Sequence, residues 1–210
     1  IDWILNDIQV PYMMEYLICN NGAIVVTGSI DLTGTKLPEL PRFGMRMELH
    51  QPYENLTYYG RGPFENYIDR YSGAFIGRYE DKVENQFYWY IRPQETGNKT
   101  DVRWLTLLDS GGLGVKITGL QPISFSALHF SPEALDPGLT RKLQHTIDIV
   151  PQKNIFLHVD LKQRGLGGDN SWGMYPHNEY RLLDKKYTYS YMIELVEKGS
   201  DKNDYLNSRK

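Results

Sequence analysis

The segment Arg164-Gly165-Leu166-Gly167-Gly168-Asp169-Asn170-Ser171-Trp172-Gly173 holds the side chains best placed for chemistry in this 210-residue chain. Its glycines permit positive φ and close backbone approach, and Asp, Asn and Ser stiffen a turn by bonding their own backbone. Such a loop presents Trp172 as a flat apolar face at small entropic cost, and the C–H face of a sugar stacks on such a surface. The opposing expectation is that the indole folds back and plugs the core, as large rings usually do. Acid–base work needs carboxyl groups in loops too, and cleaving a glycosidic bond takes a flanking pair. Glu65, Glu95 and Asp169 have glycine-rich neighbours. Glu65 and Asn66 follow Gly62-Pro63, a turn that aims them at a partner surface or lets Glu65 pair with Arg61 or Arg70 and pin the loop. Asp169 either moves protons or holds its own turn.

The elements that must position these loops read as strands. Tyr12–Cys19 and Ala23–Leu32 flank Asn20-Asn21-Gly22, and 102–108 and 113–117 flank Asp109-Ser110-Gly111-Gly112, both hairpin signals. Further strand-like runs are 43–49, 56–59, 87–92, 123–130, 146–150, 155–161 and 188–196. Ser131-Pro132 opens one helical turn, with Ser at the cap and Pro first inside. The pattern predicts an all-β chain: one large antiparallel β-sandwich over residues 1–198, then a polar tail over 199–210.

Composition removes several function classes. A net charge of −3 argues against a nucleic-acid partner. No apolar run reaches membrane-spanning length, so a soluble chain is expected, in the cytoplasm or periplasm. Cys19 is the single cysteine, which excludes an internal disulfide and a cysteine-rich zinc site. Gly60-x-Gly62 lacks the third glycine and helix of a dinucleotide site. The histidines at 50, 129, 145, 158 and 177 lack metal-ligand spacing, so no metal site is expected, and His158 reads as a core residue within an apolar strand.

Four phrases carry a resemblance: Leu40-Pro41-Arg42-Phe43-Gly44-Met45, the Tyr59–Arg70 segment, Tyr90–Gly97 and Gly167–Trp172. In that order they resemble the C-terminal domain of the family 2 glycoside hydrolases, the β-galactosidases, over about Leu37 to Glu197. The resemblance implies a supersandwich of the galactose-mutarotase type that closes one side of an active site. The catalytic glutamates would lie in a preceding (β/α)8 barrel, with none in this fragment. The parent reaction would be retaining hydrolysis of terminal β-galactosides. Trp172 would stack on the sugar, with Asp169, Asn170 and Ser171 orienting it. Arg61, Glu65, Asn66 and Arg70 would pack against the barrel or line the cleft edge. Partners would be the galactoside and the barrel. No cofactor is expected here, although family enzymes often use Mg and Na in the barrel. The runner-up is a stand-alone carbohydrate-binding module. An aldose 1-epimerase using His129 or His177 ranks third, because no epimerase motif surrounds either histidine.

Overall fold

Glycine turns and alternating apolar residues do build strands here. The computed structural model describes residues 1–5, 8–136, 138, 145–170 and 172–197. Ten strands join one antiparallel sheet: β1 (Asp2–Leu5), β2 (Val10–Ile18), β3 (Ile24–Asp31), β4 (Arg42–Leu49), β5 (Asn55–Gly62), β6 (Phe75–Lys82), β7 (Lys99–Leu108), β8 (Gly114–Leu128), β9 (Ile155–Gln163) and β10 (Lys186–Val196). Both expected hairpins close on glycines in the left-handed region, Gly22 at φ +84° and Gly112 at φ +87°. The expected helical turn is α1 (Pro132–Leu135), where the Ser131 hydroxyl accepts from the Ala134 amide. Tail residues 198–210 lie outside the described residues.

The main layer runs β1-β2-β3-β10-β8-β7-β5-β6. β8 is long enough to serve two layers. Its first half pairs with β10, and its second half, beyond Pro122, pairs with β9, which in turn pairs with β4. The smaller layer β4-β9-β8 then folds over the larger. Tyr187, Tyr189 and Tyr191 alternate inward along β10, as a half-buried strand requires. The Tyr189 hydroxyl crosses the interior to donate to the Val159 carbonyl of β9 at 3.1 Å, and Phe43 of β4 stacks edge-on against the same ring. Val26, Leu105, Ile117, Phe125, Leu157 and Val159 complete this core, each at most 1% exposed.

Two expected strands form no ladder. The 87–92 run is irregular, and 146–150 contains a single 3-10 turn, Thr146–Asp148. Their apolar residues are anchors: Phe87 and Ile149 join Leu128, Phe130 and Leu135 in a second cluster, separate from the main core. In both runs a β-like apolar signal came from a cover. Conversely, β1 and β6 did not register in sequence, because they are edge strands whose residues are mostly exposed and lack inward alternation.

Gly44 of β4 is a packing requirement. A Cβ there would lie 2.6 Å from the Asp160 Cα on β9, a backbone atom that cannot swing aside. Gly44→Ala should cost about 1–3 kcal/mol by overpacking. A circular-dichroism melt should show a fall of roughly 2–4 °C per kcal/mol at this chain size.

Candidate sugar platform and its supports

Trp172 stands almost fully in solvent, 92% exposed, and does not plug the core. Trp104 of β7, by contrast, is half-buried with Lys116 above its ring. The loop that carries Trp172 is fixed by its polar residues. Asn170 Oδ1 accepts from the Trp172 amide at 2.8 Å, the Asx-turn bond that such residues supply. Asp169 meets the exposed His177 at 3.2 Å. Gly173 turns the chain at φ +99°. Ser171 lies outside the described residues.

The loop is also bolted from beneath. The Gly167 amide donates to Asp69 Oδ2 at 2.6 Å, and a Cβ on Gly165 would lie 2.7 Å from that carboxyl group. Behind it, Tyr175 lies under the guanidinium groups of Arg181 and Arg164, at 4.6 and 5.4 Å. Both arginines bind the buried Glu39 carboxylate, at 2.6 and 2.9 Å. Burial pushes the Glu39 carboxyl upward, but the Arg181 and Arg164 hydrogen bonds outweigh it and hold the group below its ordinary value. Asp69, Glu39 and Tyr175 escaped sequence reasoning. Asp69 sits inside a motif block, yet nothing in its spacing shows which backbone amide it meets.

Asp69 joins this loop to the Gly62–Gly73 segment, where Glu65 is the hub. Its carboxylate pairs with Arg70 and accepts from the Tyr90 hydroxyl, from Thr96 Oγ1 at 2.9 Å and from the Gly97 amide at 2.7 Å. Glu65 therefore pins its loop through Arg70. Asn66 is wholly buried: its Nδ2 donates to the Arg61 and Phe64 carbonyls at 3.1 Å, and its Oδ1 accepts from the Thr100 amide at 2.9 Å. Asn66 thus shapes the turn and turns no side chain to a partner. Arg61 binds Asp101 and the Ala74 carbonyl and lies 4.4 Å over Tyr71. Phe64, Tyr88, Trp89 and Ile91 stand exposed around these loops. An open cavity of about 600 Å³ lies between them, lined by Phe64, Glu65, Arg70, Tyr90 and Lys99.

Burial raises the Glu65 carboxyl, but the Tyr90, Gly97 and Thr96 hydrogen bonds and the Arg70 charge outweigh it, leaving the group below its ordinary value. The folded chain then holds the Glu65 proton less readily than the unfolded chain. Stability from this hub is present above the ordinary carboxylate value and is lost as pH falls through the lower folded one. Glu65→Gln should melt below the parent at neutral pH. The gap between the two should narrow on acidification, which melts over a pH series would reveal.

Comparison with known proteins places this arrangement in a lineage. Residues 4–193 match the family described as beta galactosidase small chain. The chain is 36% identical to a beta-galactosidase of Priestia megaterium over 86% of its own length and 17% of that protein. It is 35% identical to one from Streptococcus thermophilus, over 90% of this chain and 18% of that protein. With one from Halalkalibacterium halodurans the identity is 33%, over 83% and 17%. The chain thus spans about a sixth of the length of these curated relatives. No helix among the described residues is long and apolar enough to cross a membrane. A match across nearly the whole described sandwich, with relatives above 30% identity, leads to one conclusion: this chain belongs to the beta galactosidase small chain family.

Proposed function

We propose that this sandwich is the C-terminal part of a retaining β-galactosidase and closes one side of its active site. Trp172 is the sugar-stacking platform, and the acid and nucleophile glutamates lie in a barrel elsewhere in the longer chain. The observation that carries this reading is the near-complete exposure of Trp172 on a loop fixed from several sides. An indole left in water is an unfavourable use of apolar area unless something covers it. The stiffness of the loop means that little entropy is lost when a ligand does. The carboxylates beside it favour the same division of labour. Glu65 is consumed by four protein partners, and Asp169 faces His177 in open solvent. Neither is thereby left free to act as the acid or nucleophile that glycoside hydrolysis requires. The short coverage of each relative supports a part of a larger enzyme over a stand-alone binding module.

Two measurements test this. The 210-residue chain should release no chromophore from a nitrophenyl β-galactoside above background. Turnover abolished by replacing one of its own carboxylates would refute the proposal. In the full-length enzyme, Trp172→Ala should weaken substrate binding by roughly ten- to a hundredfold. Aromatic contact is worth about 0.5–1.5 kcal/mol beyond area burial, area adds about 25 cal/mol per Å², and about 1.4 kcal/mol corresponds to a decade. The loss should fall chiefly on KM, as removal of uniform binding does, with the melting temperature nearly unchanged. Unaltered kinetics with a large fall in melting temperature would make the ring structural.

A further inference from the structure

The outward face of the small layer is an unusual surface. Along β9, Ile155, Leu157 and Val159 face the core, so Phe156, His158 and Asp160 face the other way. Ser124 and Ser126 of β8 alternate outward in the same manner. A sheet face rich in Ser, His and Asp normally meets water. Here Ser124, Ser126, His158 and Asp160 are all buried, and the Phe87–Phe130–Leu135–Ile149 cluster lies on that side of the sheet, sharing Leu128 with it. Within that cover is a cavity of about 210 Å³.

The polar groups at the cavity are organised by Arg42. Its Nε lies 3.0 Å from Asp160, its Nη1 is 2.7 Å from His158 Nδ1, and its Nη2 donates to Gln163 at 2.6 Å and Glu95 at 3.3 Å. Because an arginine cannot accept, His158 Nδ1 is the acceptor and the imidazole proton sits on Nε2. Burial and the Arg42 and Arg46 charges drive the imidazole down to about 3, so the ring stays neutral. Burial raises the carboxyls of Asp160 and Glu95. The Asp160 side chain is 1% exposed, with Oδ2 matched only by the Arg42 guanidinium and Oδ1 without a hydrogen-bond partner. Buried polar groups left in that state call for an explanation.

We infer that this cavity is a binding site for a single neutral sugar ring, with Glu95 and His158 as its hydrogen-bonding groups and Phe130 and Phe156 as its apolar wall. Arg42 is already matched by Asp160 and Glu95, so an anion finds no surplus positive charge. An apolar ligand would offer the His158 Nε2 proton no acceptor, at the usual cost of an unsatisfied polar group. A metal ion is disfavoured, since no cluster of three or more His, Cys, Asp or Glu forms among the described residues. The volume equals roughly seven waters at about 30 Å³ each, which suits one ring and rejects a disaccharide. A mixed lining of aromatic walls with few convergent polar groups is the usual make-up of small-molecule sites. This site is separate from the Trp172 platform and does not depend on that reading.

Saturation-transfer NMR on the chain, with D-galactose and D-glucose as probes, tests the inference. At least one probe should show saturable binding, unchanged in Trp172→Ala. Leu135→Trp, which enlarges a lining residue on α1, should abolish it. Glu95→Gln should weaken it by about tenfold or more, with the fold of each variant verified by near-ultraviolet circular dichroism. Absence of saturable binding for both monosaccharides would overturn the inference, as would binding that survives whichever of Leu135→Trp and Glu95→Gln remains folded. Loss of the signal in Trp172→Ala alone would likewise overturn it, by moving the bound sugar to the exposed platform.

Discussion

The ion pair between Arg42 and Asp160 is the constraint on which the loops of this sandwich depend. It joins β4 to β9 at 3.0 Å, with the Asp160 carboxyl group buried away from water. Such a pair adds little net stability, yet removing one partner strands the other and typically costs about 3–5 kcal/mol. Its effect reaches well beyond two strands. Arg42 also holds Glu95, whose neighbours Thr96 and Gly97 supply two of the hydrogen bonds to Glu65. Glu65 holds Arg70, and the adjacent Asp69 holds Gly167 in the Trp172 loop. Charge-assisted contacts, joined by short stretches of backbone, thus connect the interior with the loop that carries Trp172.

That arrangement separates shaping from contact. Glu65, Asn66 and Arg61 spend most of their polar atoms tying their segment to residues 96–101 and to itself, so the segment with the most distinctive sequence is framed from within the domain. Trp172 is the reverse case: its backbone is bonded and its ring is free. A rigid support under a free apolar face is what pre-organised binding requires, because the ordering cost is met during folding. The large cost of perturbing the frame and the small cost of perturbing the ring follow from the same contacts.

The sequence made the hairpins, the capped turn Ser131–Leu135 and the exposed Trp172 loop readable, because glycine and short polar residues carry their meaning within a few positions. Alternation exposed β10 and β5, where one face is covered. It failed for 87–92 and 146–150, whose aromatic and aliphatic residues anchor covers, and for β1 and β6 at the edges. His158 read correctly as a buried residue, although it faces the cover and not the main core, and its partner Arg42 lies 116 positions away. No spacing rule reaches that far. The same distance hid the bond from Asp69 to Gly167 and the capture of Arg164 and Arg181 by Glu39.

The place of β10 in the main layer bears on how the chain is made. It is the last described strand in sequence, yet it sits between β3 and β8, so neither neighbour has a partner on that side until Lys186–Val196 arrives. During synthesis from the ribosome, the edges of β8 and β3 that β10 will cover stay open until Lys186–Val196 has emerged. Open strand edges are templates for pairing with the wrong chain. This part of the nascent chain is therefore exposed to mispairing until β10 emerges, and a ribosome that stalls short of Lys186 leaves both edges unprotected.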